Sequence, residues 1–551
     1  MNNKRIATSV AAIANSKGLF LLFVAASLLP VFSVTWVVTG DGPCHFYNSK
    51  ILLDWWRHAD RDMYSVFMVP NFRLAPNWIT NLIQVPLLYF FAPALAEKIF
   101  FALYVSCFAF GFRFLIKQIN PRALYLSLIG TVFIWHHLVF KGFLNNSWSI
   151  ALWFVTVGCW LKYADAAWYK SVLSVLLPGF LLYLAHPLGY LYAVLMMGCI
   201  LLGQWFYLTI EVDVRHATNY LLKKSLILLL ALLPTLLLFC WFFFGREWGS
   251  EPINYDAEVW GNLLKLPPLV DFHSSESTWA IATGALCILL WLVWAVQKIW
   301  NRKWQKFDGL FLFWMLALMS ILWPPSGIMG GLDLPRRLVI IPVMAILFLA
   351  ATMEAHAAVK AIVATVAGIC TIALLCIRLP IMKSNGEVAK ELLSLLPFIE
   401  KRSTVMTIVY DMEPHSVHGQ KMIDAEWINT HTDGYLGVFK PLALADNYEL
   451  NFDYFPFRSI FEKNFYVQSA KDGAAFEGVE PHVALEQYKN NTGIQIDYVI
   501  LSGLRQGDHE KPHVQDVLAQ LARDYSFVAK SPNGYDLLYR HKPGFRNVWK
   551  R

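Results

Sequence analysis

From residue 18 to residue 377 long apolar runs alternate with short polar breaks, and beyond that point the pattern changes. A membrane span takes roughly 17–25 apolar residues. Eleven runs meet or approach that length: 18–39, 96–116, 122–140, 146–163, 169–186, 188–208, 224–245, 278–297, 307–323, 337–353 and 357–377. One further run, 77–92 (NWITNLIQVPLLYFFA), is shorter and carries Pro86, so it reads as a helix lying in the outer membrane interface. Residues 378–551 show a polar helix (NGEVAKELLSLLPFIEK), two β-like runs (TVMTIVYD and IDYVILSG), a helix (VQDVLAQLARDY) and a hairpin around Pro532-Asn533-Gly534. The expected fold class is a mainly α polytopic membrane protein of about eleven transmembrane helices, residues 1–377, followed by a mixed α/β domain, residues 378–551.

Composition agrees with this division: 57% of the 551 residues are hydrophobic and 15% charged, with a mean hydropathy of +0.44. Charge then orients the chain. Residues 378–551 hold 20 Lys and Arg against 22 Asp and Glu, so the other 26 and 17 of the totals, 46 and 39, and with them the formal charge of +7, belong to the membrane half. The basic residues cluster at Arg113, Lys117 and Arg122; at Lys162 and Lys170; at Arg215, Lys223 and Lys224; and at Lys298, Arg302, Lys303 and Lys306. All four clusters fall on the cytoplasmic side if the N-terminus is inside and 77–92 does not span. This is a membrane pattern and points to no nucleic-acid partner. It expects loops 40–95, 141–147, 186–189, 246–277 and 323–337, and the whole of 378–551, outside the inner membrane. The first run lacks a small-x-small cleavage site and reads as an uncleaved helix. Seven of eight cysteines lie in apolar runs and only Cys44 stands apart, so no disulfide framework or zinc spacing is available.

The chemistry concentrates in the outer loops. VTGDGPCHFYNSKIL, residues 38–52, places Asp41 between two glycines and ahead of Pro43 where the first run ends. Asp41 reads either as a helix N-cap or as a general base at the membrane surface, and one acid can be both. His45 shares its helix face, and Asn48 and Trp55 follow as candidate substrate contacts. Arg336 and Arg337 stand together on the side where positive charge is disfavoured; they are either interfacial anchors or a fork for a lipid phosphate, with Asp333 a possible ion-pair partner. Lys141 is a second phosphate candidate. Asn145 and His186 complete the substrate set, although a histidine before a proline is more often a helix-end residue. Trp56, Tyr64 and Trp78 are further aromatic platforms.

Taken in order, DGPCHFYNS, KGFLNNSWSIAL, LAHPLGYLYA, GGLDLPRRLVII and NYELNFDYFPF resemble blocks of bacterial C-type (GT-C fold) glycosyltransferases over most of the chain. The resemblance implies a membrane enzyme of the cell envelope that moves a hexosyl or pentosyl unit from a polyprenyl-phosphate donor. The acceptor would be a glycan, a glycolipid or a protein at the outer face of the inner membrane, with Asp41 as catalytic base. Asn145 and Asn146 stand where many members carry a second acid, which speaks against a two-carboxylate or metal-bridged mechanism. The sequence calls for no cofactor, leaves a divalent metal open, and offers no Gly-rich phosphate loop for a nucleotide sugar. Two other classes remain: a lipid or solute transporter, and a non-catalytic envelope scaffold.

Overall fold

In the computed structural model the described residues are 12–245, 267–322, 334–412, 414–423, 427–471, 476, 478, 480–542 and 547–550. Most of the outer loop 246–277, and residues 323–333 including Asp333, lie outside them. The chain is a multi-pass membrane protein. Among the described residues six helices are long and apolar enough to cross a membrane: Pro93–Ile119, Trp168–Ala185, Pro187–Glu211, Val214–Phe244, Ser274–Asn301 and Ala357–Phe398. The other five expected spans do not reach that standard, for visible reasons. Lys17–Ser33, Gly309–Leu322 and Ile340–Ala351 are 17, 14 and 12 residues long. Leu144–Tyr163 has the length but begins with Asn145, Asn146 and Ser147. The run 122–140 breaks into Leu126–Val132 and His137–Phe140.

That break is stabilised from outside. Tyr104 donates its hydroxyl to the Ile134 carbonyl at 2.9 Å, and Arg378 donates to the Trp135 carbonyl at 2.7 Å. Non-helical backbone inside a helical bundle survives where neighbours satisfy the freed carbonyls in this way. The Arg378 guanidinium also pairs with Asp271 and with Glu276, 3.1 Å away. Beyond the break, Phe140 and Lys141 reach the segment just before the Gly42–Trp56 helix and accept from the Gly40 and Asp41 amides.

The two ends of the bundle differ in character. At one end the polar breaks that hold the basic clusters are tied together: Arg113 donates to the Asn15 carbonyl at 3.0 Å, Lys224 pairs with Asp165 at 2.9 Å, and Lys298 pairs with Asp308. At the other end lie the Gly42–Trp56 helix, the 12-residue Ile79–Phe90 helix and the C-terminal sheet. The last apolar run and the polar helix expected after it form one continuous helix, Ala357–Ser394, so position 377 falls inside a helix.

The sheet has the order β3-β2-β5-β7-β6, with β2 Ser403–Val409, β3 Leu442–Leu444, β5 Tyr498–Ser502, β6 Tyr525–Lys530 and β7 Asp536–His541. β3, β2 and β5 run parallel and every residue of the three is buried. The expected hairpin closes the sheet with antiparallel β6 and β7, and the expected helix is Pro512–Asp524. This region is not free-standing. β1, Met68–Pro70, from the segment 40–95 pairs antiparallel with β4, Phe457–Ser459. The Gly434–Phe439 helix lies against Gly42–Trp56 so closely that a Cβ on Gly434 would come 2.4 Å from the Pro43 carbonyl oxygen. Buried Glu97 joins three segments, accepting from the Val37 amide at 2.8 Å and from the Tyr435 hydroxyl at 2.6 Å.

Candidate active site

Asp41 is fixed by its backbone. Gly40 N–H donates to the Phe140 carbonyl at 2.8 Å, and Asp41 N–H donates to the Lys141 carbonyl at 3.0 Å. The two strands of loop approach this closely because Gly142 sits opposite at φ +84; a Cβ there would be 2.2 Å from the Asp41 nitrogen. Asp41 occupies the N-cap position of Gly42–Trp56, with Pro43 in the first turn, yet its side chain makes no capping hydrogen bond. The carboxylate, about 20% exposed, instead faces a cavity of about 640 Å³.

Lys141 and Arg336 line the same cavity, together with Gly40, Phe140, Phe143 and the C-terminal residues Trp427, Ile428, Thr430 and His431. Arg337 is not among the described lining residues; its guanidinium lies 3.9 Å from the centroid of the Phe143 ring. Lys141 stands 5.9 Å from the same ring. Two cations and one carboxylate thus line one cavity together with the aromatic rings of Phe140, Phe143 and Trp427.

His431 is the neighbour of Asp41 that sequence reasoning missed. Its Nε2 is 3.7 Å from Asp41 Oδ1, and its Nδ1 is 2.6 Å from Asp446 Oδ1. Asp446 also accepts from the Tyr466 hydroxyl at 3.0 Å, and the Tyr448 ring lies against the imidazole at 4.8 Å, tilted by 33°. The signal was the segment His431-Thr432-Asp433-Gly434-Tyr435-Leu436-Gly437, whose two glycines mark a close helix contact.

The remaining sequence candidates surround the site without lining the cavity among the described residues. His45 is buried one turn below Asp41, with Nε2 3.1 Å from the Gly142 carbonyl and Nδ1 paired with Glu449. Asn48 exchanges hydrogen bonds with Asn447, at 2.8 and 3.0 Å. Asn145 accepts from the Thr80 amide at 3.1 Å and from its hydroxyl at 3.2 Å. His186 caps the Pro187–Glu211 helix by accepting from the Leu188 amide. Trp55 is buried, edge-on to Phe457 at 5.2 Å. Trp56 is exposed and Tyr64 buried. All these groups except Trp56 are held by packing or by partners distant in sequence.

A scan against protein-family models found no match, and a search of curated proteins found none. Among solved structures the chain is similar to the oligosaccharyltransferase of Archaeoglobus fulgidus in its apo form. That alignment covers 88% of this chain and 69% of the other, at 10% identity and a TM-score of 0.44. Identity and score are too low to place any residue of one chain on the other.

The His45–Glu449 pair makes a pH prediction. Burial opposes the imidazolium, but the Glu449 charge and hydrogen bond outweigh it and leave the histidine raised above its ordinary 6.5. A group raised on folding stabilises fully below its unfolded value and loses that contribution as pH rises through the folded one. The melting temperature of the detergent-solubilised protein should therefore fall as pH climbs above about 6.5. Glu449→Gln should flatten the fall; an unchanged slope in that variant would assign it to another group.

Proposed function

We propose that this protein is a membrane glycosyltransferase that moves a sugar from a polyprenyl-phosphate donor to a glycan, glycolipid or protein acceptor at the outer face of the inner membrane. The observation that carries the reading is the meeting of the Asp41 carboxylate with Lys141 and Arg336 in one cavity. The clustering of the basic breaks at the opposite end of the bundle supports the orientation.

Asp41 is the general base. It takes the proton of the acceptor hydroxyl while that oxygen forms a bond to the anomeric carbon. The bond from that carbon to the phosphate oxygen breaks, and its electron pair leaves with the phosphate. Lys141 and Arg336 neutralise the charge that develops there, Arg336 as a bidentate fork. Attack opposite the leaving group inverts the anomeric centre. Arg337 on the Phe143 ring helps hold that wall of the cavity.

Mass spectrometry of lipid-linked sugars and envelope glycans from cells with and without the gene tests this reading. Deletion should accumulate one polyprenyl-phosphate sugar and remove the mass of one sugar from one envelope component. If both pools are unchanged, the protein is not a glycosyltransferase, and the transporter and scaffold classes take its place.

A further inference from the structure

We propose that His431 receives the acceptor's proton onward from Asp41, with Asp446 as the positioning residue that fixes the imidazole to accept it. The inference rests on the glycosyl-transfer reading above.

The geometry fixes the tautomer. Asp446 is buried, and its Oδ1 stands 2.6 Å from His431 Nδ1. A carboxylate there can only accept, so Nδ1 carries the hydrogen and the lone pair of neutral His431 lies on Nε2. Tyr466 holds the carboxylate in turn, and the Tyr448 ring packs against the imidazole at a tilt. Nε2 then faces Asp41 Oδ1 across 3.7 Å, within the wall of the same cavity. Two acceptors face each other there, and one added proton turns their repulsion into attraction. The reaction supplies that proton.

The balance is simple. The acceptor O–H bond breaks and the proton passes to Asp41, while the electron pair of the breaking sugar–phosphate bond goes to the phosphate. The proton then moves to Nε2, and Asp41 is a carboxylate again. An imidazole is ordinarily a stronger base than a carboxylate, so the proton passes in that direction. Among the described residues, Asp41 and Asp446 face His431 and favour the imidazolium, while Lys141 and Arg336 across the cavity disfavour it. A proton left on Asp41 could return to the newly formed bridging oxygen. On the imidazole it is out of that path, and water takes it when product leaves.

The test uses membranes carrying the full-length protein, with the lipid extract of gene-deleted cells as donor and their envelope fraction as acceptor. Transfer is followed by mass spectrometry across pH. His431→Gln should lose about tenfold to a hundredfold in rate with its melting temperature held, and the acid limb of its pH profile should move down toward the carboxylate range. Asp446→Asn, which frees the tautomer, should shift the limb in the same direction with a smaller loss. Added imidazole should restore part of the rate of His431→Ala. A folded His431→Gln with full rate and an unmoved acid limb overturns the proposal. So does a folded His431→Ala that imidazole does not rescue and whose acid limb stays in place. Asp41→Asn separates the two levels. If it keeps its rate, the glycosyl-transfer reading with Asp41 as base falls; if it is inactive while His431→Gln is normal, only the role of His431 falls.

Discussion

Asp41→Asn is expected to give a protein that folds, inserts and binds donor, yet transfers sugar at least about a hundredfold more slowly, the lower range for loss of a general base. The structure separates the two roles of this residue. Its backbone does the structural work, through the Gly40 and Asp41 amides on the Phe140 and Lys141 carbonyls, and its side chain makes no capping hydrogen bond. An amide of the same size therefore leaves the helix start intact and removes only the ability to take a proton. Asp41→Glu should retain little activity, because the longer arm carries the base past the hydroxyl it must reach. Initial rates and a thermal melt on the same preparation decide the matter. A lower melting temperature with an unchanged rate per folded molecule would make Asp41 a structural acid.

Arg336→Ala is expected to cost about a hundredfold to a thousandfold in turnover, the usual scale for removing one donor aimed at developing negative charge. Arg336→Lys keeps the charge but loses the planar fork and should fall between that variant and the parent. Arg337→Ala should act differently. Its guanidinium stacks on Phe143, so its loss should cost about 0.5–2 kcal/mol of local packing and a smaller share of the rate. Turnover measured against donor concentration for the three variants gives the comparison. Normal turnover in Arg336→Ala would leave Lys141 as the phosphate's partner.

These two residues were legible in the sequence because local signals mark them. Glycines and a proline bracket Asp41, and Arg336 and Arg337 break the charge parity of the outer loops. Strands β2 and β5 and the β6–β7 hairpin were legible through short apolar, β-branched runs and an Asn-Gly turn, while the three-residue strands β1, β3 and β4 were not. His431 and Asp446 were not. They sit among many polar residues of the C-terminal region, and what singles them out is a contact with Asp41 across most of the chain. The converse holds for Asn48 and Asn145. Both lie close in sequence to Asp41 and Lys141, but Asn447 and Thr80 occupy their amides. Hydropathy likewise sees the run 122–140 as continuous, while Tyr104 and Arg378, from other helices, make a break at Ile134 and Trp135 tolerable.

The seating of the Gly434–Phe439 helix on the Gly42–Trp56 helix has a consequence for biosynthesis. The loop bearing Asp41 is made early and Trp427, Thr430 and His431 emerge late, so the nascent chain holds an acid with one wall of its chamber missing. Domains emerge from the ribosome in N- to C-terminal order. Until the last segment is translated and docked, the Asp41 carboxylate lacks that wall, so the cavity exists only once the C-terminal region is in place.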